Sequence, residues 1–321
     1  MIGQKEQDAF FVHLAAIARQ PSTIRRYRYD LLDFFTWLDG KPFELLNHQE
    51  VERFFYELIE TRNYKVRTIR RIASVLRQFT HFLQTNNILN AHPLSVYQPP
   101  LLETEPLSRN DWVSKKEIET LLKSSHSETG LSENQLLARP QLTERNFAMF
   151  SLFADYGLTL KELCDIEMNA VNFIQHTIQI ENETFKRNIH LPEALSTQIH
   201  TYWSLIPEPV RPRLHSSDSL FVAYDFKRRT YHWSYEDDAP KALTEIALQK
   251  MIRTEVARAG LRKGISAQHF RNSYLLRALL NGEDFETIQK QAGLKSMLSL
   301  RRYSLTIDHL NEQDRELILH S

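Results

Sequence analysis

Only one cysteine, Cys164, stands in 321 residues, so no internal disulfide can form, and no Cys/His spacing matches a zinc site. Nothing therefore points to an oxidising compartment, and the cytosol is the default expectation. Glycine is scarce as well: eight residues fall well below the usual share of about 7%, which favours helices over Gly-rich turns and barrels. Long apolar runs are missing. The opening MIGQKEQDAFFVHLAAIARQ lacks the apolar core of a signal peptide, and no run approaches the roughly 18 residues that a membrane span requires. A charge excess is also missing, because 40 basic residues face 40 acidic ones. The chain as a whole has no pull toward nucleic acid. No motif suggests a nucleotide, metal or organic cofactor, and no internal repeat is present.

What is present is uneven. Between Glu60 and Glu103 there is no acidic residue, yet the stretch carries Arg62, Lys65, Arg67, Arg70, Arg71 and Arg77. One-signed local charge suits phosphate contact, since neutralised phosphates release condensed counterions. A solvated helix face explains a charge run equally simply. Arg25, Arg26 and Arg28 form a second basic group, open to the same two readings.

The length suits two domains, each able to bury its own core. In PSTIRRYRYDLLDFFTWL, Ile24, Tyr27, Leu31, Phe34 and Leu38 recur at helical spacing after the cap candidates Ser22 and Thr23. Asn47 and Glu50 suggest a capped helix through VERFFYELIE, and Ile69, Ile72, Leu76, Phe79 and Leu83 stripe a third. Residues 1–96 thus read as a helical domain and 97–111, rich in proline and polar residues, as a linker. A second domain fills 112–321, opening with a capping box from Ser114 to Glu117. After a polar stretch near 124–142, ERNFAMFSLFADYGL and LKELCDIEMNAVNF predict a buried helical pair broken at Gly157. NFIQHTIQIENETFKRNIHLP alternates as strands, with Ile174, Ile178 and Ile180 on one side and Ile189 and Leu191 after a turn. SLFVAYDFKRRTYHWSY reads as further β structure, and helices resume from Thr244 through IALQKMIRTEVARAG.

The segment ISAQHFRNSYLLRALLNGEDFETIQKQAGLKSMLSLRRYSL resembles the C-terminal signature of the tyrosine recombinase (phage integrase) family, in its XerC/XerD-like form. There a His-x-x-Arg motif opens a helix, a Gly-His or Gly-Trp pair follows about twenty residues later, and the nucleophilic tyrosine comes nine residues after it. Arg271 falls on the motif arginine, Asn281-Gly282 on the family turn, Gly293 on the glycine and Tyr303 on the nucleophile. Upstream, YGLTLKEL resembles the family's Thr-Gly-Leu-Arg-x-x-Glu-Leu box. The resemblance spans nearly the whole chain. It implies a mainly α fold with a small β-sheet, built as a helical SAM-like core-binding domain and an α+β catalytic-type domain. It further implies duplex DNA as partner, with Arg25, Arg26, Arg28, Lys65, Arg67, Arg70, Arg71, Arg77, Lys186, Arg187 and Arg271 as candidate contacts, and a bacterial or phage origin near the nucleoid. The family's chemistry needs no cofactor.

The departures lie in the chemistry. Thr159 stands where the first catalytic arginine belongs, Gln268 where the motif histidine belongs, and Leu294 where the second histidine or tryptophan belongs. Asn272 replaces the histidine after the second arginine, and Asn182 aligns with the family lysine. Only Arg271 and Tyr303 remain as candidate catalytic residues. Cleavage requires the tyrosine oxygen to attack a phosphodiester while cationic donors hold the equatorial oxygens and an acid protonates the leaving oxygen. Each lost preorganised donor costs about 3 to 4 kcal/mol, so three lost groups, added imperfectly, cost about 8 kcal/mol or some six decades in rate. Lys186, Arg187, His190 and His269 are the neighbours able to substitute. On a regular helix, however, Lys161 lies about 200° from Thr159 and His269 about 100° from Gln268, directed away from the site.

Two readings follow: a DNA-binding repressor or accessory factor without cleavage, or a working site-specific recombinase that uses Tyr303, Arg271 and an acid from the 182–190 hairpin. A helical protein that keeps the scaffold for protein contacts is a third. In DHLNEQDRELILHS, Leu310, Leu317 and Ile318 mark a terminal helix. It either docks on its own core or joins a second protomer into a homo-oligomer.

Overall fold

The structure is a computed structural model that describes residues 2–101, 103–181 and 185–320. The chain divides into two compact units, residues 1–103 and 104–321. Among the described residues no helix is long and apolar enough to cross a membrane.

The first unit is helical: α1 (Gln4–Ala16), α2 (Pro21–Leu38), α3 (His48–Tyr56), α4 (Val66–Thr85) and the short α5 (Pro93–Val96). Pro21 opens α2, where its fixed φ suits the first turn. Asn47 and Glu50 make the reciprocal capping bonds on α3, and the predicted stripe of α4 is buried throughout. Phenylalanines from different elements meet edge to face in the core, with Phe34 and Phe54 at 4.8 Å and Phe43 and Phe79 at 5.6 Å. The helix α1 lacked a sequence signal. Gly3 stands at its N-cap and offers no side-chain bond, and Gln7 interrupts the buried stripe of Phe10, Phe11 and Leu14.

The second unit wraps helices around a small sheet. Helix α6 (Lys115–His126) carries the Ser114–Glu117 capping box, and α7 (Glu133–Tyr156) begins inside the segment read as a polar stretch. Ser132 caps it and Pro140 lies inside it, tolerated because Ala138, Arg139 and Leu142 are buried against the unit. After α8 (Leu160–Cys164), the strands β1 (Val171–Asn172), β2 (Thr177–Glu181) and β3 (Lys186–His190) form an antiparallel sheet in that order. Ile178 faces Ile189 across the hairpin and, with Ile180, points into the core. Ile174 does not share that face: it sits in the β1–β2 turn and is 92% exposed. The alternation misplaced it because the turn resets the period.

Helix α9 (Glu193–Leu205) precedes two minimal hairpins, β4 (Tyr224–Asp225) with β5 (Thr230–Tyr231), and β6 (Trp233–Ser234) with β7 (Ala239–Pro240). Then come α10 (Glu245–Arg258), α11 (Ala267–Leu280), α12 (Phe285–Ala292), α13 (Arg301–His309) and α14 (Glu312–Leu319). Ile318 is buried in the unit's own core beside Leu275 and Leu300, with Leu310 and Leu317 packed against that cluster. The terminal helix therefore docks on its own unit.

Candidate active site

Helix α11 places Arg271 one turn from its start, on the face that enters the core, where its side chain is 9% exposed. Its guanidinium donates to the carbonyl of Gly157 and, at 2.7 Å, to that of Ala292. These carbonyls belong to the C-terminal ends of α7 and α12, where helices carry unsatisfied acceptors and partial negative charge. Gly157 has a left-handed φ of +59°, and a Cβ there would lie 2.5 Å from the Tyr274 ring. Glycine is required both by the backbone and by the close approach. Burial draws the Arg271 pKa below its ordinary value, with the Glu162 carboxylate opposing.

Glu162 is the hub of the site. Its carboxylate lies 3.7 Å from Arg271 Nη1 and 2.6 Å from Arg187 Nη1, and accepts the Thr159 amide at 2.9 Å and hydroxyl at 3.0 Å. Burial works against ionisation of Glu162. The hydrogen bond and charge of Arg187 lead the opposing effects, which hold the carboxyl below its usual range. Thr159, standing where an arginine was expected, is the N-cap of α8. Arg187 reaches the carboxylate from β3 with its side chain 8% exposed, while its Nε and Nη2 have no partner among the described residues. The residue read as a surface phosphate contact is turned inward.

Tyr303, on α13, is buried at 9% exposure, and its hydroxyl donates to Asn272 Oδ1 at 2.8 Å. That oxygen also accepts Gln268 Nε2 at 2.8 Å, and Asn272 Nδ2 donates to the Asp111 carbonyl at 2.6 Å. Burial pushes the Tyr303 phenol above its ordinary pKa, only partly offset by Arg271 and Arg302. The group that accepts the hydroxyl's hydrogen bond is thus an amide, which takes up no proton near neutrality. Leu294 packs against the core beside Tyr303 and brings no polar side chain. His269 turns its ring back onto Ser266, where Nδ1 lies 2.9 Å from the hydroxyl. Asn182 lies outside the described residues.

A cavity of about 560 Å³ opens beside Arg271, lined also by Thr159, Lys161, Gln268, Glu245 and Arg253. Lys161, expected to face away, is on its wall. Thr159 has extended backbone, φ −80° and ψ 162°, and precedes the helix instead of belonging to it, so regular helical spacing does not set the angle between the two side chains. Arg253 and Glu245 were missed altogether. The available signal was the i, i+4 pairing of Gln249 with Arg253 on α10, both on this wall.

The basic residues of the first unit are not equivalent. Arg62 is held by Asp33 and Glu57, each at 2.8 Å, and Arg71 pairs with Asp30. The acid-free stretch is therefore neutralised in part by acids from α2 and from the turn after α3. Arg70 donates to the Pro100 carbonyl at 3.0 Å and Arg77 is half-buried. Lys65 and Arg67 are exposed at the start of α4, and Arg25 and Arg26 are exposed on α2. Arg28 lies 3.7 Å from Asp8 and over the Phe11 ring. In the second unit Lys186 is exposed and pairs with Glu181 at 3.2 Å.

A helical unit followed by a helical unit with a three-stranded sheet, bringing one buried arginine and one tyrosine to neighbouring helices, defines the class of the two-domain recombinases. The chain belongs to the phage integrase family: residues 111–308 match the description "Phage integrase family", and residues 8–87 match "Phage integrase, N-terminal SAM-like domain". It is 24% identical over 308 residues to tyrosine recombinase XerC of Anoxybacillus flavithermus, covering 93% of this chain and 91% of that protein. To tyrosine recombinase XerD of Xanthomonas axonopodis pv. citri it is 26% identical over 294 residues, covering 90% and 88%. Among solved structures, the fold is similar to XerH site-specific recombinase bound to palindromic difH substrate (TM-score 0.63, 17% identity, 91% of this chain and 78% of that one). It is similar also to a lambda integrase dimer bound to a COC′ core site (TM-score 0.64, 12% identity, 96% and 78%).

Proposed function

We propose that this chain is a sequence-specific duplex DNA-binding protein that uses the recombinase fold for recognition, as a repressor or accessory factor, and cleaves DNA poorly or not at all. One observation carries the reading: the Tyr303 hydroxyl is buried and donates to Asn272, which with Gln268 places amides where the family has histidines. A phenol in that setting resists ionisation, and no group beside it takes its proton. Arg271, with two helix-end carbonyls and Glu162 as partners, serves as a structural staple before any phosphate arrives. DNA recognition is supported by family membership, by the DNA-bound structures that share the fold, and by the exposed Lys65, Arg67, Arg25 and Arg26. A bacterial cytoplasmic, nucleoid-associated setting accompanies this reading. The burial of Ile318 in its own unit favours docking of α14 in cis over assembly through it.

Selection of bound genomic fragments followed by mobility-shift titration tests the binding half. Charge reversal at Lys65 and Arg67 should weaken binding across sequences and reduce the salt slope by about one per lost phosphate contact. Unchanged affinity and slope would refute it.

A second reading, an active site-specific recombinase, has its own support. Arg187 shares Glu162 with Arg271, and two of its guanidinium nitrogens have no partner among the described residues. It is the candidate to supply from β3 the positive charge that Thr159 does not. Lys161, on the wall of the cavity beside Arg271, is the candidate acid.

A further inference from the structure

A second cavity, of about 670 Å³, lies in the second unit between α7 and α10. Its size is that of a site for a small organic molecule, about 300 to 1,000 Å³. Helix α10 is a common wall. Lys250, Met251, Thr254 and Glu255 face this cavity, whereas Gln249, Ile252 and Arg253 face the one at Arg271. No residue assigned to cleavage lines it.

The charges around it do not balance. Three guanidiniums, of Arg139, Arg145 and Arg258, are buried together, and Arg139 and Arg258 both pair with Glu255, at 3.3 and 2.9 Å. Arg145, 4% exposed, has neutral hydrogen-bond partners among the described residues, Asn146 Oδ1 at 3.2 and 3.3 Å and the Val222 carbonyl at 3.1 Å, and reaches the Glu255 carboxylate only through the Asn146 amide. A buried charge without a counter-ion is costly, and an anion is what relieves it. Two further polar groups on the wall, Arg139 Nε and Tyr224 Oη, are buried with no partner among the described residues. Lys241 and Lys250 add positive charge at exposed positions of the lining. Between these polar groups, Leu142, Leu243, Ala247 and Met251 add aliphatic surface to the same walls.

We propose that this cavity binds a small organic anion, an oxyanion head on an apolar body. Arg145, Arg139 and the Tyr224 hydroxyl take the head, and the aliphatic surface takes the body. The head is a carboxylate or a phosphate ester, so the test uses both. The purified full chain is titrated calorimetrically with 4-phenylbutyrate and with phenyl phosphate, and with 4-phenylbutanol as the uncharged control.

At least one anion is expected to bind saturably at one site while the alcohol does not. Arg145→Gln should weaken that binding about tenfold or more, and Lys241→Gln by about threefold, as expected for loss of a buried and of a peripheral charge. Lys241 is exposed, so its variant keeps the test valid if Arg145→Gln misfolds. Failure of both anions to bind at millimolar concentration, equal binding of the alcohol, or affinities untouched by the folded variants would overturn the proposal. Displacement of the bound anion by a duplex that the protein recognises would assign the cavity to DNA phosphate and overturn it equally. None of these outcomes depends on cleavage activity.

Discussion

Asn272 explains more of the site than either residue the family signature led to. Its amide accepts from Tyr303 and Gln268 and donates to the Asp111 carbonyl, so the tyrosine is tied into a network that links α11, α13 and the segment before α6. Tyr303→Phe removes one donor to an oxygen that keeps another. The expected loss is about 1 kcal/mol, read as a small drop in urea midpoint at unchanged slope. Arg271 is different. Arg271→Met leaves the Gly157 and Ala292 carbonyls without donors and Glu162 with one fewer cation, and the expected cost is about 3 to 5 kcal/mol in the same experiment. A loss below about 1 kcal/mol would contradict the structural-staple account. Arg271 and Tyr303 stand out in the sequence because their spacing matches a family signature. Their partners do not: Ala292 is about one full helix away in sequence, and Glu162 and Arg187 become neighbours only once β3 folds beside α8.

Among elements, α4 was read correctly as an amphipathic helix and only partly as a basic one. Its apolar stripe is a local property, and helical spacing reports it. Which cations of the acid-free stretch remain free depends on α2, whose Asp30 and Asp33 pair with Arg71 on α4 and with Arg62 before it. Hence Arg71→Gln should lower stability while leaving the salt dependence of DNA binding in place, and Arg67→Glu should do the reverse. Paired denaturation and mobility-shift measurements separate them. Elements with strong caps, α3 and α6, were legible, as was the apolar second half of α7, whereas α1 was hidden by its glycine N-cap and the first half of α7 by Pro140. The first unit also contains a pH-sensitive contact. His92 stacks on Phe43 at 4.5 Å and bonds to its carbonyl at 2.9 Å, and burial lowers its pKa. A depressed value means that the folded state resists a proton which the unfolded chain accepts near pH 6.5. The contribution is therefore full above that pH and lost as pH falls through the folded value. The urea midpoint should fall between pH 7 and 5, and His92→Asn should flatten that fall; an unchanged slope would remove His92 as its source.

Over the whole molecule, composition argued against nucleic acid and topology argues for it. An even balance of 40 acids and 40 bases hides exposed cations in one unit and buried guanidiniums in the other, and only folding sorts them. The same sorting ties Tyr303, Asn272 and Gln268 into one hydrogen-bonded network. The decisive measurement uses a duplex half-site recovered from bound genomic fragments and nicked just beyond the candidate cleavage position, incubated with the wild-type chain and with Tyr303→Phe. Tight binding by both, with no covalent protein–DNA adduct on denaturing gels, is the predicted result. An adduct formed by wild type and absent from Tyr303→Phe would show that Arg187, Lys161 or their neighbours rebuild the site, and would make the chain a working recombinase.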